Sequence, residues 1–444
     1  MTPRIGLIGM AGPLEVGFSE TSSILVRMKN QLEKFARVVT NLDILYDLQT
    51  VQNAVQFFDK HEFDLLCVGV GTWSEDHYLL DFLEFHNKPV ILWAVPSVES
   101  GSLCGVQQIC CVLRELDKPY FYVYGEPENV EVHKKILEIG MAVSLSNYLR
   151  YSRIGVVGGR VKGMTEIAYD EIEIKARTGV RIVTLDDEEF VESVKDADQD
   201  CATELWNDLK KKVAKVTVND QTGIEALNYY LGIKKLVNEY GLDGICIKCY
   251  PRYMGKVCLA YSLLAEEGIV GGCEGDVNNT VAMKILFELT GKPVHNTDLL
   301  YPDSKSQTIL YSHCGSGGFS IANDPTQIHL SPVRLLNQGV CVLFPARTGT
   351  VTLVNLVGRK GTFRMSSITG EAIECGMEFP GNPLKVHFQR PVDEINELIA
   401  SKGIGHHWMA GYGDVQNELE YFCSLNSIQY NSLVSNRRED EFKR

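Results

Sequence analysis

The stretch GIVGGCEGDVNNTVAMKILFELTGKPVHNTD, residues 268–298, decides how the chain folds: two short strand-like segments flank one helix, and each segment ends in an acid. Apolar run, helix, apolar run is the repeating unit of a parallel α/β layer. The acids are Glu274 and Asp298. Gly271, Gly272 and Gly275 keep bulk away from the first, so its carboxylate can address a metal or a substrate instead of bulk water. Two such carboxylates suit paired acid and base work.

The same alternation runs outward toward the N-terminus. SRIGVVGGR (152–160), VRIVTLD (180–186) and DGICIKCY (243–250) are apolar runs separated by helical stretches rich in Lys, Glu and Ala, and with the opening stretch they predict an α/β domain over 151–304. Earlier, RIGLIGM (4–10), DLLCVGVG (64–71), KPVILWA (88–94) and PYFYVYG (119–125) predict a first doubly wound parallel domain over 1–150. From about residue 305 the pattern changes to alternating strands: SQTILYSH, GVCVLFPA, TGTVTLVNLVG, GTFRMSSITG and PLKVHF. These predict a mostly antiparallel, barrel-like C-terminal β domain over 305–430, closed by a helix at 391–402 and a last strand at 407–412. A charged tail fills 431–444. The expected fold is therefore α/β, two doubly wound parallel domains followed by a β domain.

Composition limits what this scaffold does. At 444 residues the chain is too long for one compact core. Its 45% apolar residues and mean hydropathy of -0.06 are those of a folded soluble protein, and no apolar run reaches bilayer length. The start MTPRIGLIGM enters a strand pattern without the features of a signal peptide, so a cytoplasmic location is expected. The 13 cysteines are odd in number and scattered, with only Cys110 and Cys111 adjacent, which suits reduced thiols in a reducing compartment, and no pair of them implies a zinc knuckle. A net charge of -14 argues against a nucleic-acid partner.

Other residues join the two acids as candidates, each beside a plainer role. Read alone, Glu274 also fits a surface acid in a turn and Asp298 a helix N-cap. His313 in YSHCGSGGF stands between a strand and a glycine-rich turn, where the alternative is a hydrogen-bonded core histidine. His406 and His407 in GIGHHWMAGYGD open a strand, so alternation lets only one of them face a site. Carboxylates and imidazoles at glycine-bordered positions form an oxygen-plus-nitrogen donor set that favours Mn²⁺ or a similar divalent ion over structural zinc. The segment VVGGRVKGM (156–164) lacks the spacing of a nucleotide-binding loop and reads as a tight strand-to-helix turn.

Several segments resemble the L-fucose isomerase/L-arabinose isomerase superfamily: SGSLCGVQQICCVLRELDKPYFYVYG (100–125), GVRIVTLD (179–186), GICIKCYPRY (244–253), and above all residues 258–298 and GIGHHWMAGYGDV (403–415). The resemblance implies a metal-dependent aldose-ketose isomerase working through an enediol, in a trimeric or hexameric homo-oligomer. It implies that Glu274 and Asp298 are the metal-binding and catalytic carboxylates and that His407 is the metal-binding histidine. His313 sits where the arabinose-isomerase side of the superfamily has a further ligand that the fucose-isomerase side does not clearly share.

Substrate contacts are expected from Trp408, from Lys248 and Arg252 in KCYPRY, and from Trp73 and His77 in the first-domain loop GTWSEDHY. The plainer roles are a core position for Trp408 and structural pairing of Lys248 and Arg252 with Glu274 and Asp298. The substrate implied is a fucose- or arabinose-like sugar or, since a neutral sugar needs no guanidinium and these cations would meet an anionic substituent, a 6-substituted hexose such as sulfoquinovose. A metal-dependent sugar aldolase or lyase, or a non-catalytic sugar-binding protein, would share much of this pattern.

Overall fold

A computed structural model describes residues 1–359 and 361–434, and the expected charged tail lies outside the described residues from position 435 on. The chain divides into two compact units, Met1–Tyr148 with Asn417–Leu425, and Leu149–Gln416 with the chain from Asn426 onward.

The first unit is built on strands β1 (Arg4–Met10), β2 (Arg37–Val39), β3 (Ile44–Leu45), β4 (Leu65–Val70), β5 (Val90–Ala94) and β6 (Tyr120–Tyr124). They form one parallel sheet of order β2-β1-β4-β5-β6, with β3 pairing the far end of β1. Every residue of β4 and β5 is buried, as expected of strands covered by helices on both faces. Alternation sends Leu92 into one core with Phe58 and Phe82, and its neighbour Trp93 into the other with Leu25 and Ile136.

In the second unit β7 (Arg153–Val157), β8 (Arg181–Leu185), β10 (Gly244–Ile247) and β11 (Val270–Gly272) form a parallel sheet of order β11-β10-β7-β8, while β9 (Lys215–Val216) pairs elsewhere. The connection leaving β7 runs to one side and that leaving β10 to the other. The crevice at the carboxyl ends of β7 and β10 is thus a topological switch point, the usual ligand position in such sheets.

The remaining strands are β12 (His295–Asp303), β13 (Thr308–Ser312), β14 (His329–Ser331), β15 (Cys341–Leu343), β16 (Gly349–Arg359), β17 (Thr362–Ile373), β18 (Leu384–His387), β19 (His407–Tyr412) and β20 (Gln429–Ser432). The order β16-β19-β12-β13-β18-β17 closes on itself because β16 also pairs β17, giving an antiparallel barrel with β20 added in parallel to β17. β15, β14 and β9, in that order, form a separate short sheet. The expected closing helix stands at Val392–Lys402, directly before β19. One core runs through this unit, from Trp206 and Ile245 through Tyr261 to Tyr311, Leu353 and Trp408.

One reading changes. Asp298 does not end a strand of the parallel sheet, nor does it cap a helix. It lies inside β12, opposite His407 of β19 on one side and Ser312 of β13 on the other. The helix Val277–Thr290 therefore carries the chain from the parallel sheet into the barrel, and the two acids meet where these layers join.

Candidate active site

Glu274 follows β11 after the buried Cys273 and has φ 61, left-handed for a residue with a side chain. Such a conformation costs roughly 1–2 kcal/mol and persists only where its surroundings hold it. Here its N–H donates to Sγ of Cys249 at 3.4 Å and its carbonyl accepts from Val161 N–H at 3.0 Å. The next residue, Gly275, has φ 77, and a Cβ there would lie 2.0 Å from the carbonyl oxygen of Gly159. Glycine is the residue that fits.

This turn aims the Glu274 side chain at the barrel, where its Oε2 is 3.0 Å from Nε2 of His407. The other ring nitrogen, Nδ1, is 2.8 Å from Oδ2 of Asp276. Asp276 is also the N-cap of the helix Val277–Thr290, its Oδ1 accepting from Asn279 N–H at 3.1 Å. The Asn279 amide donates to Oδ2 of Asp276 at 2.7 Å and its own Oδ1 accepts from Leu356 N–H of β16 at 2.9 Å. A chain of hydrogen bonds thus runs from the barrel wall through Asn279 and Asp276 to His407 and Glu274.

The two acids flanking the buried imidazole favour its protonated form, a positive charge that a divalent ion at Nε2 would replace. Burial works against the charge, but the bonds to Asp276 and Glu274 outweigh it and raise the His407 pKa to about 10. Glu274 shows the complementary shift: burial opposes ionisation, and the His407 bond, with the positive fields of His313 and His406, lowers its pKa.

Asp298 completes the cluster. Its Oδ1 is 3.8 Å from His407 Nε2, and its Oδ2 is 3.9 Å from Nε2 of His313. That Oδ1 is buried and has no hydrogen-bond partner among the described residues, and neither has Nδ1 of His313. Unpaired buried acceptors of this kind are costly unless something else satisfies them. Glu274, His313 and His407 each offer one donor atom within 4.8 Å of the others, and so do Asp298, His406 and His407. Oxygen and imidazole donors around an orphaned carboxylate oxygen fit a divalent cation.

His406 immediately precedes β19, so strand alternation does not turn it away from His407; the two rings lie 4.0 Å apart. Its Nδ1 is 2.9 Å from Oε1 of Glu166. The indole of Trp408 is fully buried among the core residues and offers no exposed face for a sugar to stack on. Lys248 stands at the carboxyl end of β10. Arg252 does not pair with Glu274 or Asp298: its guanidinium binds Asp187 and covers the Tyr253 ring at 4.9 Å. Trp73 and His77 belong to the first unit, where Trp73 Nε1 donates to Gln108 at 2.8 Å and His77 packs on Tyr78. A cavity of about 670 Å³ lined by Asn219, Tyr229 and Asn337 shares no residue with this site.

Asp276 is the residue that reading the sequence missed. An Asp before a helix signals an N-cap, and GDVNNT carries that signal. Nothing local shows that the same carboxylate reaches a histidine 131 positions away.

No family model matches the chain. It is similar to proteins named sulfoquinovose isomerase. That of Priestia aryabhattai is 26% identical over 396 residues, covering 86% of this chain and 88% of the relative. That of Clostridium sp. (strain MSTE9) is 26% identical over 414 residues, covering 87% and 91% respectively. That of Alkalicoccus urumqiensis is 24% identical over 361 residues, covering 78% and 81%. The likeness supports a sugar isomerase family.

Proposed function

We propose that this protein is an aldose-ketose isomerase acting on a sugar, with a 6-sulfonated hexose such as sulfoquinovose as its substrate. The observation that carries the reading is the orphaned Asp298 carboxylate oxygen facing the Glu274–His407 pair. It is found in a chain whose relatives, matched along most of their length, are all named for the same isomerisation.

Glu274, Asp298 and His407 would hold a divalent ion, Mn²⁺ by preference, with His313 or His406 as a further donor. When bound, such an ion draws electron density from the sugar carbonyl and stabilises the enediolate. Isomerisation moves one proton between neighbouring carbons and a second between the oxygens those carbons carry. One carboxylate of the Glu274–Asp298 pair takes the carbon-bound proton, and the acid so formed returns it to the adjacent carbon. Asp276 fixes the His407 ring so that Nε2 faces Glu274.

The superfamily of L-fucose and L-arabinose isomerases fits this chemistry and the joined sheet and barrel, and with it a trimeric or hexameric assembly. The unpaired state of all 13 cysteines supports a cytoplasmic setting. No helix among the described residues is long and apolar enough to cross a membrane. The test is a panel of aldoses, with 6-deoxy and 6-sulfo hexoses among them, assayed with Mn²⁺ for ketose. A panel without any ketose product overturns the reading.

A further inference from the structure

The switch-point crevice of the parallel sheet carries charge that the proposed proton transfer does not use. At the carboxyl end of β7 the chain continues as Gly158, Gly159, Arg160, Val161, Lys162, Gly163; at that of β10 stands Lys248. Arg160 and Lys162 are exposed and Lys248 is half-buried. None of the three forms an ion pair with any described residue: Arg160 donates only to the Met164 carbonyl, at 3.3 Å.

In a chain of net charge -14, three unpaired cations around one crevice are a local departure from the acidic background.

The segment lies against the catalytic turn. Val161 N–H binds the Glu274 carbonyl at 3.0 Å, and the position a Cβ would take on Gly275 is 2.6 Å from Cα of Arg160. The Lys248 stem runs along Gly158, its Cβ 3.4 Å and its Cδ 3.8 Å from the site of a Cβ there. Gly159 is left-handed, with φ 70, yet nothing lies within 4 Å of where its side chain would project. The backbone at Gly159, next to Arg160, thus borders open space.

A sugar whose reacting carbons meet Glu274 and Asp298 lies among carboxylates and histidines already engaged with one another or with the proposed ion, Asp276 with His407 and Glu166 with His406. An anionic substituent at its far end therefore needs cations from outside that cluster. We propose that Arg160, Lys162 and Lys248 form an oxyanion subsite at this crevice, which binds the sulfonate, or a chemically equivalent phosphate, at the far end of the sugar. The inference rests on the isomerase reading and adds to it the residues that select a charged substrate.

The test compares wild type with Lys248→Gln and with the double variant Arg160→Gln/Lys162→Gln. Each is assayed on a 6-sulfonated aldohexose and on its 6-deoxy counterpart of the same ring stereochemistry. The ratio of kcat/KM, charged over neutral sugar, should fall about tenfold or more, chiefly through KM, as expected for lost hydrogen bonds to a charged group. A ratio that stays constant, both substrates being affected alike, overturns the subsite while leaving the isomerase reading intact. A wild type that converts neither sugar overturns the isomerase reading instead. Calorimetric titration with inorganic sulfate then decides the subsite alone: binding lost in the triple Gln variant supports it, and binding absent from wild type or equal in both overturns it.

Discussion

Asp276 and His407, 131 positions apart in the chain, meet at 2.8 Å, so that one carboxylate both starts a helix and fixes the imidazole that faces Glu274. Asp276→Asn keeps a capping side chain but replaces the charged acceptor. Partners of this kind are worth about 10–100-fold in metal affinity. A loss of that size is expected for Mn²⁺ by equilibrium dialysis, with little change in melting temperature. Asp276→Ala should cost about 1 kcal/mol more, from the lost cap. Unchanged metal affinity in both variants would remove Asp276 from the site.

Glu274→Gln retains the shape of the side chain and removes its charge. Turnover should fall by about 10²–10⁴-fold, the usual contribution of a positioned acid or base. The circular dichroism spectrum should match wild type, since only the His407 contact changes. A rate close to wild type would discard Glu274 as a catalytic group.

Two left-handed glycines in the same unit make a matched pair. Gly291, with φ 65, ends the helix Val277–Thr290 in open space, so Gly291→Ala should cost about 1 kcal/mol and leave kcat unchanged. Gly275→Ala carries the same conformational cost and also drives a methyl group to 2.0 Å from the Gly159 carbonyl oxygen. It should lower both stability, by urea titration, and activity. Equal behaviour of the two variants would contradict the close packing of the turn.

Burial lowers the pKa of His295 from 6.5 to about 3, with the positive field of His313 adding to the effect. Neither ring nitrogen has a hydrogen-bond partner among the described residues, so the folded state holds the neutral ring. Its contribution to stability is present above pH 6.5 and is lost as pH falls toward 3. His295→Leu should flatten the acid limb of a stability–pH curve relative to wild type. Parallel acid limbs in the two proteins would show that His295 is not the group responsible.

Much of this was legible in the sequence because the signals are local. Alternation and apolar runs mark strands wherever they pair, and the first-unit strands, the closing helix and β19 stand where their patterns lie. What periodicity does not carry is the pairing partner. The run around His295–Asp298 reads the same as a parallel strand or as a barrel strand, and its place depends on β19, more than a hundred positions later. The same limit hid the second role of Asp276. Strand alternation suggested that His406 and His407 diverge, whereas His406 precedes the strand and escapes that rule. Trp408 shows the converse, for a large aromatic beside candidate ligands is also what a barrel core requires.

The most direct measurement of the central claim is the identity of the product formed from a 6-sulfonated aldohexose by the Mn²⁺-loaded protein, read by carbon NMR together with its mass, with and without a chelator. The account predicts a single ketose of the same formula as the substrate, absent after chelation and restored by adding the metal back. Two smaller fragments, or unchanged aldose with the metal present, would contradict it.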